Sequence, residues 1–129
     1  MHGKELKVDV VVYGATPAGV MAALAAARMG HRVALLDIHA HFGRMAASGL
    51  GKSDIEKRAY IRGCFTEFTN GVLAYYQRKY GRQSTEAQSC KEGYYYEPHV
   101  AETVFESMIA QEQAIESFQR HRLINAQVE

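Results

Sequence analysis

Residues 8–20 read VDVVVYGATPAGV, and this run constrains the chain more than any other. An apolar strand enters a tight glycine turn, and a helix of small residues opens directly behind it. That arrangement aims the backbone N–H groups of a helix N-terminus at a dinucleotide pyrophosphate. A second apolar strand, Val33-Ala34-Leu35-Leu36, ends in Asp37. An acid at that place accepts hydrogen bonds from a ribose hydroxyl. Strand, turn, helix, strand and acid all fall in order within residues 8–37, so the expected fold is α/β. It is a Rossmann-like βαβ dinucleotide-binding unit with a parallel sheet and additional helices.

The turn departs from the G-x-G-x-x-G pattern. It reads Gly14-Ala15-Thr16-Pro17-Ala18-Gly19, with Thr16 at the position of the middle glycine. Gly14 suits the strand-to-turn conformation, and Gly19 lets the helix press against the sheet. Thr is a good N-cap and Pro is favoured at the first helical position, so Thr16-Pro17 starts the helix firmly and sets a hydroxyl beside the phosphates. The alternative is a βαβ turn that binds nothing.

The next motif runs from Asp37-Ile38-His39 through Gly43-Arg44-Met45-Ala46-Ala47-Ser48 to Gly51. With it the chain resembles the N-terminal part of the glutathione-reductase-like, FAD-dependent oxidoreductases. It is most similar to a subfamily with a YGATPAG turn and a GGMxASGLG loop. Here those stretches are Tyr13 to Gly19 and Gly43 to Gly51. Ile61-Arg62-Gly63 with Glu67-Phe68, and the run from Tyr96 to Glu102, resemble further pieces of that subfamily. The resemblance covers about Val8 to Val128 and implies FAD as cofactor. It implies that the ADP half of FAD lies along Gly14 to Gly19, Asp37 to His39, Gly43, Arg44, Met45 and Ser48. No residue is assigned a catalytic role.

Arg44 and Arg62 stand where the family has glycines, and Asp37 stands where it mostly has Glu. Two roles are open to Arg44: its Cβ obstructs a loop that wraps the flavin, or its guanidinium serves as a bidentate donor to the pyrophosphate. No Lys or Arg closely follows Asp37, which disfavours a 2′-phosphorylated cofactor.

At 129 residues, 47% hydrophobic and 22% charged, one domain spanning 1–129 is expected. The net charge of +1 speaks against nucleic acid or an acidic membrane surface as partner. No segment has signal-peptide or membrane-span character, so a cytoplasmic location is expected. The resemblance also implies a second flavin-contacting stretch and a substrate domain, for which the sequence offers no candidate. The expectation is therefore a partial domain, inactive as an oxidoreductase alone, paired with itself or with a C-terminal half. A non-catalytic nucleotide-binding or interaction domain is the alternative.

Periodicity predicts strands over 8–13 and 32–37, helices over 17–29, 61–80 and 99–113, and a long loop over 38–57. It also predicts a polar loop excursion over 81–93, a short strand at 94–96 and an extended segment over 116–128. Cys64 reads as an inert thiol near an apolar helix face, and Cys90 as one in a polar, open stretch. His39 and His41 lack a third ligand, so no metal site is expected. His99 opens a helix, where capping or packing is set against a place near the flavin. Ser48 lacks the frame of a nucleophile elbow.

Overall fold

The computed structural model describes residues 5–128. Three parallel strands, β1 (Val10–Tyr13), β2 (Val33–Asp37) and β3 (Ile115–Gln119), form one sheet in the order β1-β2-β3. Val10 pairs with Val33, and Val33 with Ile115, which sets all three carboxyl ends on one edge of the molecule. Central β2 is the most buried strand, as a continuous apolar run in a parallel sheet should be.

Helix α1 (Pro17–Arg28) links β1 to β2 and packs across the sheet with Val20, Ala23, Leu24 and Ala27 buried. A third layer lies beyond it. Helices α3 (Cys64–Tyr80) and α5 (Pro98–Ala110) pack together there, and Phe68 stacks on Phe105 with ring centroids 4.4 Å apart. The Tyr76 hydroxyl accepts from the Glu97 N–H at 2.9 Å and donates to the Glu97 carboxylate at 3.1 Å. Burial pushes that phenol up to about 12. Arg28, at the end of α1, forks onto Glu67 of α3 and donates to Glu112 ahead of β3. The layers are thereby joined at their surface as well as through the core.

The boundaries differ from the periodicity reading for local reasons. Helix α3 begins at Cys64, not at 61, because Gly63 holds φ +71 outside the helix. The loop after β2 contains one helical turn, α2 (Arg44–Ala47). Residues 81–93 are not an open excursion. Ser84 caps a short helix, α4 (Thr85–Ser89), by accepting from the Ala87 N–H, and Ala87, Cys90 and Gly93 are buried. The polar composition hid those few small buried side chains. Cys90 is thus an interior thiol, its Sγ 3.1 Å from the Ala87 carbonyl oxygen, while Cys64 is half-buried; both are free. Tyr94-Tyr95-Tyr96 forms no strand, only an isolated bridge from Tyr95 to Lys52. Beyond β3, residues 121–128 carry no regular secondary structure.

Candidate functional site

The site is built where β1 and β2 end. Gly14 leaves β1 at φ +112, a conformation that strains any residue with a Cβ. Its N–H donates to the Leu36 carbonyl at 2.7 Å, so the turn is anchored to β2. A Cβ on Gly14 would meet open space, whereas one on Gly19 would collide with the Gly14 carbonyl oxygen. The first glycine thus leaves the turn uncovered, and the second lets α1 approach the strand end closely.

Thr16 is the N-cap of α1, its Oγ1 accepting from the Gly19 N–H at 3.0 Å, and Pro17 occupies the first helical position. A helix start leaves its first N–H groups without intrahelical partners. Here Pro17 has none to offer, Gly19 is capped by Thr16, and Val20 donates to the Thr16 carbonyl. The Ala18 N–H remains as the first-turn donor. Thr16 and Ala18 are exposed, while Ala15 between turn and sheet is wholly buried.

Asp37 ends β2 and is 1% exposed. Its Oδ2 accepts from the Ala15 N–H at 2.6 Å and from Arg44 Nε at 3.0 Å. Its Oδ1 accepts from the His39 N–H at 2.7 Å and lies 2.9 Å from Arg44 Nη2. Burial alone would push the carboxyl up; the His39 and Ala15 amides and the Arg44 guanidinium outweigh it and hold the acid below the usual carboxylate range. Asp37 is therefore an ionised, fully hydrogen-bonded carboxylate rather than an open acceptor.

The second loop closes on the first. The Gly43 N–H donates to the Ala15 carbonyl at 2.8 Å. At φ +83 Gly43 passes so close to the Phe105 ring that a Cβ would clash with it. Arg44 itself holds φ +39, and its side chain lies on Asp37. The Ser48 Oγ donates to the Arg44 carbonyl at 2.6 Å. Ile38, His39 and Met45 are exposed around the rim.

His39, His41, Arg44, Ala47, Ser48 and Glu102 line a hollow beside the loop, with His41 Nδ1 2.7 Å from Glu102 Oε1. His99 is not among its lining residues; its ring meets that of Tyr75. No motif marks the segment after β3 as part of the rim, yet the Arg120 N–H donates to the His39 carbonyl and the His121 N–H to that of Asp37. Among the described residues no cluster of three His, Cys, Asp or Glu is placed to hold a metal. Likewise, no helix there is long and apolar enough to cross a membrane.

A parallel sheet whose first strand runs through a glycine turn into a closely packed helix, with an acid ending the second strand, defines an α/β dinucleotide-binding unit. The chain belongs to the FAD dependent oxidoreductase family, whose pattern it matches over residues 9–129. FAD is the cofactor of that family. The turn fits such a group: it is uncovered at Gly14, donor-bearing at Ala18 and bordered by the Asp37 carboxylate. No curated protein matches the chain.

Proposed function

We propose that this chain holds the adenosine–pyrophosphate half of FAD in an FAD-dependent oxidoreductase. The pyrophosphate lies over the turn from Gly14 to Gly19, against the first turn of α1. The adenosine ribose lies at Asp37, and the loop from Ile38 to Ser48 forms the far wall. One observation carries the reading: Gly14 is bent to φ +112 with empty space where its Cβ would be, which leaves bare backbone for a phosphate to approach. The flavin, when bound, supplies the hydride chemistry, and this chain's residues bind and orient it.

The test is titration of the folded protein with ADP, FAD and NAD, together with the flavin spectrum of the purified protein. Saturable binding of ADP and FAD is the expected result. If none of the three nucleotides binds saturably, the reading is discarded.

A second reading, a non-catalytic interaction domain, is supported by the sheet face turned away from α1. Val11 is 60% exposed there, in a hollow with Leu36 and Phe118. Exposed apolar patches of this kind mark interaction surfaces, and self-association or a partner chain would cover it. Sedimentation of the protein with and without FAD separates the two readings, because only the second expects assembly to be indifferent to nucleotide. The two free thiols accord with the reducing cytoplasm as the proposed compartment.

A further inference from the structure

The Asp37 carboxylate has two kinds of partner. The Ala15 and His39 amides each take one oxygen from inside the fold, at 2.6 and 2.7 Å. The remaining acceptor position on each oxygen goes to Arg44, through Nε at 3.0 Å and Nη2 at 2.9 Å. A guanidinium edge is a fork of two parallel donors matched to a carboxylate. The cis-2′,3′-diol of a ribose is likewise a pair of adjacent donors, and a strand-end acid in a dinucleotide fold accepts from that sugar. Arg44 therefore fills the positions that a ribose would use.

A second observation concerns the backbone. Arg44 sits at φ +39, an unfavourable region for a residue with a long side chain. Such conformations persist where surrounding interactions hold them. The bidentate grip on a buried carboxylate is that interaction, reinforced by the Ser48 hydroxyl on the Arg44 carbonyl. The Arg44 side chain is 31% exposed against 1% for that of Asp37, so the guanidinium meets solvent on one side while it holds the buried carboxylate on the other.

We propose that Arg44 is an internal competitor for the ribose-accepting carboxylate, a latch that an adenosine nucleotide must displace from Asp37 in order to seat. The inference rests on the reading that Asp37 borders the nucleotide site. It goes beyond that reading in stating which side chain holds the acceptor positions that the ribose would use. Arg44 thereby sets both the affinity of the site and its ability to sense a ribose hydroxyl. With the latch closed, a nucleotide gains little from its 2′-OH; with the latch removed, the diol finds two acceptors already oriented by backbone amides.

The experiment is calorimetric titration of the unaltered chain, Arg44→Gly and Arg44→Met with ADP and with 2′-deoxy-ADP. Glycine suits the backbone at φ +39; methionine keeps the bulk and removes the fork, so a folding defect in one variant leaves the other informative. ADP is expected to bind both variants about tenfold more tightly than the unaltered chain, a gain of about 1.4 kcal/mol. Preference for ADP over 2′-deoxy-ADP should rise in step. The proposal is overturned if the variants bind ADP no more tightly, or if they gain equally for both nucleotides. Those outcomes leave the nucleotide site standing. Absence of saturable binding by all three proteins removes the site itself, and the latch with it.

Discussion

The Ala15 N–H and the Asp37 carboxylate meet at 2.6 Å across 22 residues of sequence, and this bond couples the turn after β1 to the end of β2. Asp37, the proposed ribose acceptor, is thus a structural post. It orders the turn from below through Ala15 and orders its own loop through His39. One side chain thereby fixes both the turn after β1 and the start of the loop after β2.

Asp37→Ala should accordingly destabilise the fold as well as weaken nucleotide binding. It leaves the buried Ala15 amide without its acceptor and Arg44 without its partner. The expected loss is about 2–4 kcal/mol, the range for stripping partners from buried charge-assisted hydrogen bonds. Asp37→Asn, which keeps one acceptor oxygen, should lose less. Urea unfolding of the three proteins measures this, and equal midpoints would show that the carboxylate is not a post.

The same carboxylate predicts an acid-sensitive step. Its folded-state pKa lies below the ordinary 3.8, so the folded protein binds its proton less readily than the unfolded chain does. The stabilisation is complete above 3.8 and is lost as pH falls through the lowered folded value. Asp9 and Glu67, also lowered, through Arg32 and Arg28, add to the trend at the surface. Thermal melts from pH 5 down to about 2 should show a falling midpoint, shallower in Asp37→Asn. An identical slope in that variant would contradict the assignment.

Gly14→Val should abolish ADP and FAD binding while leaving most of the helix content in place. The strain of a β-branched residue at φ +112 is about 1–3 kcal/mol, and the added side chain fills the space over the turn. Far-UV circular dichroism beside nucleotide titration checks this. Retained affinity would mean that the phosphates do not approach Gly14.

Phe68→Ala tests the third layer independently of the site. Phe68 is 1% exposed, stacked on Phe105 and edge-on to Tyr96. Its truncation should cost about 3–5 kcal/mol, with a fall in melting temperature that added FAD offsets only in part. A loss near zero would indicate that the core of α3 and α5 is not close-packed.

The sequence by itself determined the βαβ unit and the places of its turn, helix and acid. Those features are local: apolar runs, a glycine able to take positive φ, a Thr-Pro helix start, and an acid at a strand end. The long helices were equally evident from their apolar spacing. Tertiary structure alone decided what the site residues do to one another. Arg44 lies seven residues from Asp37 along a loop without periodicity, and only the closure of that loop on Ala15, through Gly43, turns its side chain back onto the carboxylate. The joining of residues 120 and 121 to the rim depends on β3 lying beside β2, a pairing across most of the chain. The burial of Cys90 depends on α4 packing against α3. Hydrophobic pattern and turn chemistry act over a few residues, whereas these contacts arise from distant segments that fold together, so no short stretch encodes them.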